Sequence, residues 1–203
     1  MYKLVLASSS PNRKALLSSL NLKFKIHFPT CDEEKIICES SLDLTKKRAI
    51  AKIESIAMCY QNEKVVLIGS DTVIDVNGKT IGKPKTEEDV KKMFSLYSGN
   101  FHSVISSIAC LNTYTKDMFS STSISSVFFK KLNDNDIETY IKTKDWIGVA
   151  GGYKIQGIAS YFIEKIEGSY PGIVGFPLCE FHNILKKILP QEDINSIMFG
   201  IDR

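Results

Sequence analysis

Val65-Val66-Leu67-Ile68-Gly69-Ser70-Asp71 is the stretch on which the fold turns. Its apolar run is too short for a helix of average length and shows no alternation. It therefore predicts a strand buried on both faces, central to a sheet and ending at Ser70-Asp71. Val73 to Val76, Asn77-Gly78 and Lys79 to Ile81 then predict a hairpin, because Asn-Gly readily supplies the two positive φ angles of a type I′ turn, with Lys83-Pro84 at its exit. Upstream, Leu4 to Ala7 is a second short apolar run, ended by Ser8-Ser9-Ser10-Pro11, after which Leu16, Leu17 and Leu20 recur at helical spacing. Ser10 suits the N-cap and Pro11 the first helical position, where a missing N–H is no loss.

Between these two strands lie a polar stretch containing Cys31-Asp32-Glu33-Glu34 and a helix expected from about Leu44 to Tyr60. Downstream, Thr86-Glu87-Glu88-Asp89 reads as a capping box opening a helix with Val90, Met93, Phe94 and Tyr97 on one face, ending near Gly99. Residues 101 to 111 and 121 to 131 alternate as strands, Asp136 to Lys142 predicts a short helix, Ile158 to Ile166 another strand, and Pro177 opens a last helix carrying Leu178, Phe181, Leu185 and Ile188. The tail from Gln191 shows no pattern. Interleaved helices and strands without strict alternation predict an α/β fold with a mixed central sheet flanked by helices, in one domain over 1–203.

The chain has 203 residues, 43% of them hydrophobic and 24% charged, enough to bury a sizeable core and too apolar for disorder. Twenty-six basic residues against 23 acidic ones leave a net charge of +3. The lysine pairs Lys46-Lys47, Lys91-Lys92, Lys130-Lys131 and Lys186-Lys187 lie far apart, so nothing builds the basic stripe of a nucleic-acid binder. Five cysteines without CxxC spacing argue against a disulfide framework or zinc site and for a reducing compartment. With no apolar stretch near the ~20 residues of a membrane helix and too short an apolar run at the start for a signal peptide, the expectation is a cytoplasmic protein that engages neither membrane nor nucleic acid.

Several segments have the chemistry of an anion site. The Ser8-Ser9-Ser10-Pro11-Asn12-Arg13 turn feeds a helix start, so hydroxyls, N–H groups and Arg13 would face one anion, although a serine N-cap on an ordinary loop has the same sequence. Asp71, at the end of an apolar strand, stands where α/β sheets place ligands; it would hold Mg²⁺ or orient water, or close a turn on its own backbone. Glu33 and Glu34 matter only if the fold brings one of them toward Asp71. Lys52 and Lys83 read by default as surface lysines, and His102 as a strand histidine satisfying a backbone carbonyl. The glycines of Ala150-Gly151-Gly152-Tyr153-Lys154-Ile155-Gln156-Gly157 predict tight turns or close backbone approach. No catalytic Ser/His/Asp or Cys/His arrangement stands out.

Four blocks in order resemble the Maf family of nucleoside triphosphate pyrophosphatases: Leu6-Ala7-Ser8-Ser9-Ser10-Pro11-Asn12-Arg13 with Leu16-Leu17; Asp32-Glu33; Ser70-Asp71-Thr72-Val73 through Gly82-Lys83-Pro84 with Ser98-Gly99 and His102; and Ala150-Gly151-Gly152-Tyr153 with Ile155-Gln156-Gly157 and Val174-Gly175-Phe176-Pro177-Leu178. The likeness runs from Leu4 to about Ile188 and implies a fold similar to inosine triphosphate pyrophosphatase, two lobes around a cleft. It implies hydrolysis of a nucleoside triphosphate between its α and β phosphates, assisted by Mg²⁺ or Mn²⁺, in a homodimer. Carried over residue by residue, it implies Asp71, Gln156 and Lys83 as catalytic, Ser8, Arg13, Lys52 and Thr72 as phosphate- or substrate-binding, and Glu33 with Asp71 as metal-binding. Lys52 falls at the family's helical lysine with Arg48-Ala49 in the usual Leu-Ala place. Asn12 stands where many members carry a first arginine, and Val149 where they carry a lysine. Asp71-Thr72 and Phe101-His102-Ser103-Val104 resemble the dTTP/UTP branch, which implies dTTP/UTP or non-canonical nucleoside triphosphates as substrates; the alternatives are the 7-methyl-GTP branch and a nucleotide-binding regulator of division or septation without turnover.

Overall fold

The computed structural model describes residues 2–61 and 63–200. Among these, seven strands form one sheet: β1 Lys3–Ala7, β2 Phe24–His27, β3 Val65–Val76, β4 Lys79–Ile81, β5 Phe101–Asn112, β6 Met118–Phe129 and β7 Ile163–Glu167. Their order is β2-β1-β3-β5-β6-β7, with β4 also paired to β3. Helices α1 Pro11–Ser19, α2 Ser41–Ala57, α3 Glu87–Tyr97, α4 Asp134–Lys142, α5 Tyr170–Val174, α6 Leu178–Ile188 and α7 Gln191–Phe199 flank it. Pairing is parallel for β1 with β2 and β3 and antiparallel elsewhere, which is the mixed sheet expected.

The expected strand end at Ser70-Asp71 is corrected: β3 runs unbroken through Asp71 for 12 residues to Val76. Polar residues are tolerated there because β5 pairs the strand on one edge from Val66 to Asp75 and neighbouring side chains satisfy the other. On that other edge β1 is paired up to Gly69 and β4 only from Ile74. Ser70 to Val73 therefore run along an edge left open between two partner strands. The ligand position expected at the carboxyl end of a strand becomes the carboxyl end of the parallel β1–β3 pair.

The alternation of β3 sends side chains of odd and even number to opposite faces. Val66 and Ile68 pack under α1, α6 and α7 with Leu6, Leu17, Phe181 and Ile194. Val65 and Leu67 pack under α2 with Ala49, Ile53 and Ile56. A separate, aromatic-rich core built on Ile74, Phe94, Tyr97, Phe129, Tyr140 and Tyr153 joins the far half of the sheet to α3 and α4. The long strands thus carry a core on each face at one end and the aromatic core at the other, and the open edge of β3 lies between the two ends.

The capping box at Thr86 and the Asn77-Gly78 turn, with φ of 52° and 79°, form as the sequence predicts. Three further readings change. The polar stretch after α1 contains the short edge strand β2, whose half-buried side chains carry no strong signal. Residues 158–162 are a 3₁₀ turn, burying Ala159 and Phe162 at its i, i+3 spacing, and only Ile163–Glu167 joins the sheet. The tail forms α7, held by a single fully buried side chain, Ile194.

Candidate active site

Asp71 shares its parity with Val65 and Leu67, so it faces α2. Gly69 allows that helix to come close: a Cβ there would stand 2.1 Å from the Ala49 carbonyl oxygen. One turn further along α2, Lys52 is 3% exposed, and its ammonium donates to Asp71 Oδ1 at 2.8 Å and to the Ser70 carbonyl at 3.0 Å. The same ammonium pairs with Glu33 Oε2 at 2.8 Å, from the 3₁₀ turn Glu33–Lys35 that Asp32 caps. The fold therefore does bring Glu33, not Glu34, to the cluster around Asp71. Asp71 Oδ2 is buried with no hydrogen-bond partner.

Thr72 has the opposite parity and faces α1. Arg13, 9% exposed, donates from Nε to the Gly175 carbonyl at 2.8 Å and from its two terminal nitrogens to Ser8 Oγ and Thr72 Oγ1, both at 3.4 Å. Gly175 takes φ 118°, a left-handed cap to α5 that turns its carbonyl to meet the guanidinium. Burial pulls the Arg13 pKa down, and the fields of Asp71 and Glu33 push it back; a guanidinium stays charged through such a contest. Ser106 Oγ donates to the Gly172 carbonyl at 2.6 Å, so in its 2.7 Å bond with Thr72 the threonine must be the donor. The Thr72 hydroxyl is thereby committed to orienting Arg13. Ser8 Oγ only accepts, from Ser10 N–H and Arg13, which leaves its own O–H free to donate.

The glycine-rich loop closes the third side. Gly151 and Gly152 take φ of 67° and 75°, and a Cβ on Gly151 would stand 2.0 Å from Ile74 Cδ1. Tyr97 and Tyr140 hydroxyls donate to the carbonyls of Gly151 and Gly152, and Gly151 N–H donates to Gly82 at 2.9 Å. That bond fixes the segment carrying Lys83 beside the loop carrying Gln156. Both of these side chains are exposed at the rim.

Ser8, Arg13, Glu33, Lys52, Asp71, Thr72, Lys83 and Gln156 all line one cleft of about 1050 Å³, and so do the two departures from the family pattern, Asn12 and Val149. That volume is at the upper end for small-molecule sites. The sequence reading missed Arg48, which lines the same cleft; its spacing of four from Lys52 on one helix face is the signal that would have found it.

His102 is not at the cleft surface. It is buried beneath it, its Nε2 2.7 Å from the Tyr153 hydroxyl rather than at a carbonyl, with Nδ1 unpartnered. Burial lowers its pKa from 6.5 to about 4. Between these values the unfolded chain binds the proton and the folded one does not. The histidine's share of stability is therefore full above about pH 6.5 and is lost as pH falls toward 4, at about 1 kcal/mol per pH unit. Urea unfolding at pH 7.5, 6 and 5 of wild type and His102→Gln is expected to show the wild type losing ground to the variant as pH falls. A pH-independent difference between them contradicts it.

The family profile described as "Maf-like protein" matches residues 3–188. The chain is 42% identical over 197 residues to a protein of Treponema denticola named dTTP/UTP pyrophosphatase, covering 92% of this chain and 97% of that one. Proteins of the same name from Clostridium botulinum and Dictyoglomus thermophilum are 38% and 35% identical, each over 92% of this chain and 100% and 96% of their own.

Proposed function

The chain belongs to the Maf family, and on that premise we propose that it hydrolyses dTTP and UTP between the α and β phosphates, releasing the nucleoside monophosphate and pyrophosphate. The relatives' shared name supports the substrate class. The observation that carries the chemistry is Asp71 Oδ2, a buried carboxylate oxygen without a donor in a cleft whose lining also includes Arg13, Arg48, Lys52, Lys83 and the Ser8 hydroxyl. Such an atom is costly unless a ligand supplies its partner.

Water adds to the α-phosphorus, the bond from that phosphorus to the bridging oxygen breaks, and the proton of the water passes to Asp71. Lys52 holds that carboxylate rigid through Oδ1. The Ser8 hydroxyl, the remaining N–H groups of Arg13 and the N-terminus of α1 would face the triphosphate, with the exposed Lys83 and Gln156 reaching it from the cleft rim. No covalent enzyme intermediate is needed, and catalysis is positioning plus charge stabilisation.

The family's expected divalent cation fits the residues present. No cluster of three or more ligating side chains exists among the described residues. Mg²⁺, however, is commonly held by one or two carboxylates with substrate phosphates and waters. Asp71 and Glu33 would hold it; a carboxylate has about four lone-pair sites and Lys52 occupies one on each. When bound, the ion neutralises charge on the phosphoryl oxygens. A reducing, cytoplasmic setting agrees with five free thiols, Cys59 and Cys179 among them exposed, and a homodimer is the assembly we infer from family membership.

Pyrophosphate and orthophosphate release from dTTP, UTP, CTP and 7-methyl-GTP, with Mg²⁺ or Mn²⁺, tests the proposal. Pyrophosphate as the first product from dTTP and UTP is expected. Orthophosphate first, preference for 7-methyl-GTP, or binding without turnover would each refute it.

A further inference from the structure

Lys52 has no N–H to spare. Asp71 Oδ1, Glu33 Oε2 and the Ser70 carbonyl take all three. A phosphate approaching the α2 wall of the cleft must therefore be met by another donor, and one turn earlier on the same face stands Arg48.

Arg48 is half-buried, and its Nε donates to the backbone carbonyl of Glu33 at 3.0 Å. Among the described residues its terminal nitrogens make no hydrogen bond and no ion pair; Asp32, on the turn it holds, is paired with Lys35 at 3.3 Å. In the immediate cluster Asp71 and Glu33 balance Lys52 and Arg13. Exposed Asp32 and Glu34 add negative charge to that rim, so the unpaired guanidinium is what makes the wall hospitable to an anion.

We infer that Arg48 is a further substrate-binding residue: its Nε anchors the Glu33 turn while its terminal N–H groups grip an anionic oxygen of the polyphosphate tail. Because Nε is already tied down, the fork is pre-oriented and loses little rotamer freedom on binding. Substrate and the Glu33 carboxylate are thereby coupled through one planar group: a tail in place holds the turn, and a turn in place presents the fork. The inference deepens the proposed activity and rests on reading the cleft as a triphosphate site.

Inorganic tripolyphosphate binding, measured by calorimetry, needs no turnover and separates the two claims. Arg48→Gln is expected to weaken tripolyphosphate binding and to raise KM for dTTP by about 10- to 100-fold, the range of a lost charge-assisted bond, with kcat changing by less than about tenfold. Arg48→Lys, which keeps the charge and loses the fork, should fall between wild type and Arg48→Gln. If tripolyphosphate binds Arg48→Gln as it binds wild type while kcat falls, Arg48 is only a prop for the Glu33 turn and the inference fails. Should Arg48→Gln not fold, Arg48→Lys decides alone: several-fold weaker binding supports the inference, unchanged binding overturns it. Wild type that binds tripolyphosphate but turns over no nucleotide refutes the proposed activity and leaves the Arg48 comparison readable.

Discussion

Asp71→Asn is expected to lower kcat for pyrophosphate release from dTTP by about 10³-fold or more, within the range attributed to loss of a general base or of a preorganised electrostatic group. KM should move far less, because Ser8, Arg13, Arg48 and Lys83, which the proposed reading assigns to the phosphates, are untouched. The substitution is isosteric, and an amide oxygen can still accept from Lys52, so the chain should fold; its stability should nonetheless fall, since a lysine only 3% exposed then keeps one carboxylate partner, Glu33, which is itself part-exposed. Single-turnover rates with and without Mg²⁺, beside tripolyphosphate calorimetry, give the measurement. A variant that retains a tenth or more of wild-type kcat would remove Asp71 from the chemistry and leave its bare oxygen without an explanation.

The residue types of this site were legible in the sequence, and their bonding was not. The parity of β3 places Asp71 toward α2 and Thr72 toward α1, and that much follows from period two alone. The strand reads as ending at Ser70-Asp71 because its apolar run stops there, and polar residues inside a central strand are costly unless satisfied. What satisfies them comes from far along the chain: Lys52, Arg13, Ser106 and Gly175. Local pattern does not register such partners. The same blindness reads Lys52 as a surface lysine, whereas it is 3% exposed and its three donors are taken inside the protein. It also left Arg48 as a spacer in a motif, since only the fold shows that its neighbours leave it unpaired.

Edge elements were lost for a different reason. β2 and the 3₁₀ turn at 158–162 bury few side chains, so their sequences carry weak periodicity and tertiary contacts decide them. The hairpin at Asn77-Gly78 and the box at Thr86 were read correctly because each is fixed by local backbone chemistry that no distant contact overrides.

Gly69→Ala tests whether the closeness of α2 to β3 is what builds the site. The added methyl would lie 2.1 Å from the Ala49 carbonyl oxygen and 3.0 Å from Ile53 Cγ1. The first obstacle is helix backbone, so no rotamer change relieves it, and α2 must retreat by about 1 Å, at the upper end of overpacking costs of about 1–3 kcal/mol or beyond. For a chain of this size that corresponds to a Tm lower by about 6–12 °C. The retreat also draws Lys52 from Asp71 and the Ser70 carbonyl, now 2.8 and 3.0 Å away, and a misplacement of that size costs about 10²-fold in kcat. Ala49→Gly in the same chain should rescue neither effect, because the clash is with the carbonyl and not the alanine side chain. A Gly69→Ala protein that melts and turns over as wild type would mean that α2 does not sit on the strand as closely as described, and the placement of Lys52 beside Asp71 would fall with it.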